Sequence, residues 1–297
     1  MRIRSSAAHV EISAPGKLNL HLEVLQQRPD GYHELESLLV PISLVDTLRF
    51  HPAPHGEIDF GWEAAGMPGD VAVMPVATKN LVVRALEALR RYVGRGLGAV
   101  VRLVKRVPVG AGLGGGSSDA AAALAAGNLG WNLGLSVAEL HELAAGLGSD
   151  VPFFLHGGPA ICRGRGEQVE PVAGLGRLHF VVCMPPASLL TRDVYRACVP
   201  AARPVDCQDL LSSLRSGRLE QAGRLLHNRL EEAAAMLSPW VDRLRREFAR
   251  LDVLGASLTG SGAAYFGLCR TARHARRVAA LLQQRAVGRV YAVAGGC

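Results

Sequence analysis

Residues 108–119 read Pro-Val-Gly-Ala-Gly-Leu-Gly-Gly-Gly-Ser-Ser-Asp, and an alanine-rich run begins at Ala120. Such a segment can bind an anion with its own backbone. Gly110, Gly112, Gly114, Gly115 and Gly116 permit main-chain conformations that a Cβ forbids and let a ligand come close. The helix expected behind them offers free N–H groups and the positive end of its dipole to a phosphate. Ser117 and Ser118 place two hydroxyls at its threshold. One helix end contributes only ~0.3–1 kcal/mol at an exposed site, so Mg²⁺ or lysines must help to hold a polyphosphate. Phosphoryl transfer further needs a hydroxyl deprotonated. Asp150, in Leu147-Gly-Ser-Asp-Val-Pro-Phe-Phe, is the best candidate base, worth ~10²–10⁴-fold in that role. A capping or ion-paired aspartate fits the same spacing. Lys17, beside Asn19 on a polar strand face, is the natural cation to lower an acceptor pKa, although a surface lysine is its plain alternative. Asp119 either complements the helix dipole or lies near a metal.

The glycine spacing admits several phosphate loops. Gly110-x-Gly112-x-x-Gly115 matches the dinucleotide fingerprint, but that motif wants a strand running into the first glycine and an acidic residue about 20 positions on. Lys105, Arg106 and Pro108 interrupt the first, and residues 130–138 carry no carboxylate for the second. A Walker loop needs Gly-Lys-Ser/Thr, whereas Gly116 runs directly into Ser117. The His-Arg-Asp and Asp-Phe-Gly signatures of protein kinases are absent. A flexible glycine linker would not run into so strong a helix former.

Several elements must position these residues. Leu18, Leu20, Leu22 and Val24 alternate with Lys17, Asn19, His21 and Glu23, which predicts a half-buried strand with a solvated polar face. A shorter strand, Val10 to Ser13, precedes it across a kink at Pro15-Gly16. Pro29-Asp30-Gly31 predicts a turn, and Leu38 to Leu44 a strand in which Pro41 marks an edge or bulge. Asn80 to Tyr92 reads as a helix, Val100 to Val104 as a strand. Ser136-Val-Ala-Glu139 is a capping box opening a helix that Gly148 closes and Pro152 keeps from continuing. Further on, His179 to Met184 predicts a strand, Gln208 to Leu237 a largely helical stretch, and Ala256 to Leu268 a glycine-linked strand pair. Its turn, Leu258-Thr-Gly-Ser-Gly, is a hairpin or bulge first and a phosphate contact second. Thr271 to Arg285 reads as a helix and Val290 to Val293 as a closing strand. Ala173-Gly-Leu-Gly resembles a joint, dividing the chain into domains 1–172 and 173–297.

With 297 residues, 49% hydrophobic, the chain can bury a sizeable core. No apolar run approaches the ~18 residues of a membrane span, and Met1 to His9 lacks the apolar region of a secretory signal. The net charge of +7 is scattered, densest at Arg243, Arg245, Arg246 and Arg250, and only 5% of residues are aromatic. That suits a solvated helix face and a small anionic substrate rather than nucleic acid. Six cysteines (162, 183, 198, 207, 269 and 297) show no Cys-x-x-Cys spacing, which fits a reducing cytoplasm and neither a metal site nor a disulfide framework. His51 and His55 read as loop residues because Pro52 and Pro54 disfavour a helix that would align them.

Five segments occur in order: Ala14-Pro-Gly-Lys17-Leu-Asn19-Leu, Pro29-Asp-Gly-Tyr32-His33-Glu, the loop at 108–119, the Asp150 segment and Leu258-Thr-Gly-Ser-Gly-Ala. This series, over about residues 10–268, resembles the GHMP small-molecule kinases. The Asp-Gly-Tyr-His block sets it apart from the mevalonate and homoserine members and resembles the branch acting on a cytidine-diphosphate-linked methylerythritol in the non-mevalonate isoprenoid route. The resemblance implies a two-domain α+β fold, an N-terminal domain like the second domain of ribosomal protein S5 followed by a ferredoxin-like domain. It implies transfer of the ATP γ-phosphate to the 2-hydroxyl of the methylerythritol unit. Lys17 and Asp150 match its catalytic pair. Pro108, Val109, Gly110, Ala111, Gly112, Leu113, Gly114, Gly115, Gly116, Ser117 and Ser118 match its ATP loop, with Asn80 and Lys105 in the nucleotide pocket. Tyr32 and His33 would hold the cytidine end, and Asn19 the acceptor. Gly16 stands where alanine is common in the family, and Arg163 and Arg165 fall near the expected substrate side.

Overall fold

The computed structural model describes residues 1–6, 9–54, 56–65 and 80–296, with ten helices and twelve strands among them. In chain order these are β1 (Arg2–Ser5), β2 (Val10–Gln27), β3 (His33–Ala53), β4 (Ile58–Ala64), α1 (Leu81–Val93), β5 (Gly98–Lys105), α2 (Gly115–Gly130), α3 (Val137–Leu147) and α4 (Val151–His156). Then come β6 (Ala160–Arg163), β7 (Gln168–Pro171), β8 (Leu178–Met184), α5 (Thr191–Ala197), α6 (Gln208–Arg215), α7 (Leu219–Arg224), β9 (His227–Asn228) and α8 (Glu231–Leu237). The chain ends with α9 (Pro239–Ala249), β10 (Gly255–Leu258), β11 (Tyr265–Cys269), α10 (Ala272–Gln284) and β12 (Arg289–Gly295). His55 and Cys297 lie outside the described residues.

Two compact units are present, each discontinuous in sequence: Met1–Gly16, Leu44–Val109 and Gly114–Gly157 form the first, and Lys17–Ser43, Gly110–Leu113 and Gly158–Cys297 the second. Residues 158–172, on the N-terminal side of the Ala173–Gly176 stretch, thus belong with the C-terminal segments.

In the first unit, β1 pairs antiparallel with the start of β2, and β5 lies between the end of β3, antiparallel, and β4, parallel. Alanine at six of the seven positions 120–126 lets the middle of α2 sit inside: Ala120, Ala121, Ala122, Ala123, Leu124 and Ala126 are buried, packed against α1 and α4. α1 buries Val82, Ala85, Leu86 and Leu89, the i, i+3, i+4, i+7 stripe of an amphipathic helix. The capping box at Ser136 forms as the sequence predicts. α3 ends at Gly148, but Pro152 does not halt the chain. It occupies the first turn of the new helix α4, where its missing N–H has no partner to lose. His51, expected in a loop, lies in β3 opposite Val100, and Pro52 follows it opposite Ala99. Proline disfavours a helix, yet its fixed φ suits extended backbone near a strand end.

In the second unit the strands run β12-β8-β11-β10, all antiparallel, with Gly295 of β12 opposite Ile42 of β3. β3 also pairs with β6, and β6 with β7. The apolar face of β2 (Leu22, Val24) joins Val181, Leu244, Phe248, Leu258, Val278 and Leu282 in a core shared with α9 and α10. Between Gln208 and Leu237 the helical stretch is broken by β9, which pairs parallel to β2 with His227 opposite His21. β2 itself runs as one strand from Val10 to Gln27, unbroken at Pro15-Gly16.

The polar face of β2 differs most from expectation. Lys17, Asn19, His21 and Glu23 are 3%, 3%, 1% and 0% exposed, so the face is buried rather than solvated. Alternation reports that two faces differ in chemistry; it does not say which one meets water. Four buried polar side chains in a row require partners, and those partners define much of the site.

Candidate active site

The loop after β5 is anchored from below by a buried ion cluster in the first unit. Asp46 Oδ1, from β3, accepts the N–H groups of Arg106 (2.5 Å) and Val107 (2.8 Å). Its Oδ2 binds the Lys105 ammonium, which also donates to Asp119 Oδ2 at 2.7 Å. Lys105 therefore joins the loop's entry to the first turn of α2, with its ammonium facing two carboxylates. Burial opposes its charge, but Asp119 and Asp46 outweigh burial and raise its pKa. Burial pushes the Asp119 carboxyl up, to about 8, and neighbouring Asp46 adds to this while Lys105 opposes it.

α2 starts at Gly115, earlier than the alanine run suggests. Gly114 is its cap, and Ser118 N is already bonded to Gly114 O at 2.9 Å. The N–H groups of Gly115, Gly116 and Ser117 stand ahead of that first closed turn, where an anion would find them. Gly116 is exposed and Ser117 half-buried, whereas Ser118 and Asp119 are buried. Ser118 Oγ and Asp119 Oδ1 have no hydrogen-bond partner among the described residues. Asn80 is the N-cap of α1, its Oδ1 accepting from Val82 N at 2.9 Å. Asp150 is half-buried at the N-cap position of α4 but makes no capping hydrogen bond, so the capping alternative for its side chain is not realised.

The second unit holds the middle of the loop. Lys17 N donates to Leu113 O (2.9 Å) and Ala264 N to Ala111 O (3.3 Å), which seats residues 110–113 on the turn after β10. Gly112 has φ +76°, and a Cβ there would overlap the Thr259 carbonyl oxygen. Asn19 organises what lies around it: its Oδ1 accepts from Lys17 Nζ at 2.5 Å, Gly260 N at 2.8 Å and Thr259 Oγ1 at 3.2 Å. Its Nδ2 donates to Ser37 Oγ at 2.8 Å. The Leu258-Thr-Gly-Ser-Gly turn thus serves as a holder for the Lys17–Asn19 pair. Asp46 carries no local motif, so its part in these networks shows only in the fold.

The Asp-Gly-Tyr-His block forms a turn in which Asp30 Oδ1 accepts from Tyr32 N at 3.1 Å, leaving the Tyr32 ring 51% exposed. The Arg165 guanidinium lies 5.1 Å from that ring's centre, and His33 lies 5.4 Å from Tyr195, an aromatic that no sequence signal singled out. Arg163 is bound to Glu36 and Glu170.

Further along β2, Glu23 is fully buried. Burial alone would raise its carboxyl, but Arg229 (2.7 and 2.9 Å), the N–H groups of Val205 and Val24, and His227 together hold it down at about 2. A carboxyl depressed in the fold contributes stability above its ordinary value of 4.5 and loses it as the pH falls toward 2. Because Arg229 is partly exposed, the contribution is about 1–3 kcal/mol. In urea unfolding from pH 5 to 2, Glu23→Gln should lose less stability on acidification than the unaltered protein. Parallel curves would rule the depressed carboxyl out. Burial, with help from nearby His227, lowers the pKa of His21 to about 4.

The fold and the sequence have known counterparts. Residues 80–158 match the GHMP kinases N terminal domain and residues 210–287 the GHMP kinases C terminal family. The 4-diphosphocytidyl-2-C-methyl-D-erythritol kinase of Pelotomaculum thermopropionicum is 44% identical over 269 residues, covering 90% of this chain and 91% of its own. The same enzyme from Gloeobacter violaceus is 37% identical over 283 residues, covering 92% and 90%. A crystal structure of 4-(cytidine 5'-diphospho)-2C-methyl-D-erythritol kinase superposes with a TM-score of 0.80 at 38% identity, over 97% of this chain and 99% of that one. The chain belongs to the GHMP kinases and, within them, to the 4-diphosphocytidyl-2-C-methyl-D-erythritol kinase family.

Proposed function

We propose that the chain transfers the γ-phosphate of ATP to the 2-hydroxyl of 4-diphosphocytidyl-2-C-methyl-D-erythritol, forming the 2-phosphate and ADP in the non-mevalonate route to isoprenoid precursors. The observation that carries this reading is the glycine loop ending in the first turn of α2, with a buried lysine–asparagine pair held against its middle. In this reading the N–H groups of Gly115 to Ser117 take phosphate oxygens. The acceptor oxygen bonds to Pγ while its proton passes to the Asp150 carboxylate and ADP leaves with the electrons of the broken P–O bond. Lys17 offsets the negative charge developing on the acceptor oxygen, and Asn19 sets where its ammonium points. Lys105 acts from beneath the loop, holding its two ends.

Mg²⁺ would enter with the nucleotide and neutralise charge on the β- and γ-oxygens. Ser118 Oγ and Asp119 Oδ1 fit that ion as hard, unpartnered oxygens, in a setting where one or two protein ligands suffice. Tyr32 and His33 would present their rings to the pyrimidine. A cytoplasmic setting agrees with the buried, unbridged cysteines at 183, 198, 207 and 269.

The test is ADP release with ATP and Mg²⁺ in separate reactions with the diphosphocytidyl substrate, mevalonate and homoserine. Turnover with the first alone is expected; turnover with mevalonate or homoserine instead would sink the substrate assignment.

A further inference from the structure

Asn228 on β9 carries no loop, nucleophile or substrate motif, yet every polar atom of its side chain is engaged. It is 7% exposed. Its Nδ2 donates at 2.9 Å to both Leu258 O and Gly260 O, and its Oδ1 accepts from Leu230 N at 2.9 Å. The two carbonyls bracket Thr259, so one amide group fixes both sides of the turn. That turn supplies Gly260 N and Thr259 Oγ1 to Asn19 Oδ1, the oxygen that also takes the Lys17 ammonium.

The turn also closes on itself, Thr259 N donating to Ala264 O (3.1 Å) and Gly262 N to Thr259 O (3.0 Å), but neither bond reaches the Gly260 carbonyl. Gly260 has φ +58°, a conformation that side chains rarely adopt, and a Cβ there would lie 3.0 Å from Gly112 O and 3.1 Å from Lys17 Nζ. The close approach that lets the turn reach Lys17 and the loop therefore depends on glycine, the residue least able to hold its own conformation. Asn228 adds the hold on Leu258 O and Gly260 O from outside the turn. Ser37 Oγ, donating to His21 O at 2.6 Å and accepting from Asn19 Nδ2, fixes the opposite end of Asn19. Asn228 is the counterpart on the turn side.

We propose that Asn228 is a positioning residue for phosphoryl transfer: it clamps the 258–260 turn and so sets the direction of the Lys17 ammonium through Asn19. This rests on the reading of Lys17 as the cation at the reacting hydroxyl. Effects on kcat follow because a small misplacement of a charge at the reacting atoms can cost ~10²-fold while leaving nucleotide binding intact.

Two variants test the clamp. Asn228→Ala removes it. Asn228→Asp keeps an acceptor for Leu230 N but turns a carboxylate oxygen toward two carbonyls, and it regains one donor when protonated. We expect both to lower kcat about 10- to 100-fold at saturating substrates, with KM for ATP changed less than about threefold. The Asn228→Asp rate relative to wild type should rise as the pH is lowered from about 8 to 6, a signature that loss of folded protein would not produce. Combining Asn228→Asp with Lys17→Met should be no slower than Lys17→Met alone. A kcat within twofold of wild type for the folded variants, or additive losses in the double variant, would overturn the clamp. If Lys17→Met alone keeps wild-type kcat, the reading of Lys17 fails, whatever Asn228 does.

Discussion

Replacing Asp150 with alanine is expected to lower kcat by ~10²–10⁴-fold, the range a positioned general base supplies. The fold should survive the change. Asp150 is at the N-cap position of α4, but its carboxylate accepts no capping hydrogen bond, so the usual ~1 kcal/mol cost of deleting a cap does not apply. Folding into α4 is secured instead by Pro152 in its first turn and by the burial of Val151, Phe153 and Phe154. Single-turnover ADP formation and a thermal melt, made on one preparation, separate the two effects. A kcat near wild type would dismiss Asp150 as the base. A collapse of the melting temperature would instead make it a structural residue.

Removing the Lys105 ammonium should have the largest effect on stability. Lys105, Asp46 and Asp119 have side chains 2%, 0% and 3% exposed, and Lys105 is the only cation that bonds both carboxylates among the described residues. Lys105→Met keeps the volume and leaves the Asp46 and Asp119 carboxyls facing each other away from water with no cation between them. Breaking a buried pair from one side costs about 3–5 kcal/mol, which for a chain of this size lowers the melting midpoint on the order of 10 °C. The compensating change follows from the same geometry. Adding Asp119→Asn replaces one of the two facing acidic groups with a neutral amide and should restore part of the loss, because Asp46 keeps the N–H groups of Arg106 and Val107. If the double variant melts no higher than Lys105→Met, the cost does not come from uncompensated charge.

Local chemistry was legible in the sequence wherever it depends on neighbours in the chain. The Ser136–Glu139 capping box, the helix beginning after Asn80 and the left-handed glycines at 110, 112 and 114 are such cases. The five ordered segments identified the family for the same reason. Two kinds of feature stayed hidden. One is the side of the β2 strand that is buried: Lys17, Asn19, His21 and Glu23 read as a solvated face because periodicity carries no sign. The other is any contact made across hundreds of residues. Asn228 looks like an ordinary residue within a helical stretch until β9 is seen beside β2, and Asp46 looks like a strand residue until the loop's N–H groups are seen on it. Lys105, whose resemblance-based place was the nucleotide pocket, is engaged with carboxylates that its own sequence neighbourhood does not include.

The buried polar face of β2 also bears on how the chain is made. Asn19 meets Thr259 across 240 positions, and Glu23 meets Arg229 across 206. At ~5–20 residues added per second, β2 leaves the ribosome roughly 10–50 seconds before those partners exist. A second apolar face, beside the one carrying Leu22 and Val24, would add to the association with other nascent chains that such waiting invites. Lysine, asparagine, histidine and glutamate instead remain hydrated while they wait. Two side chains reserved for the reaction, Lys17 and Asn19, thus also help to keep one face of the unfinished strand hydrated during synthesis.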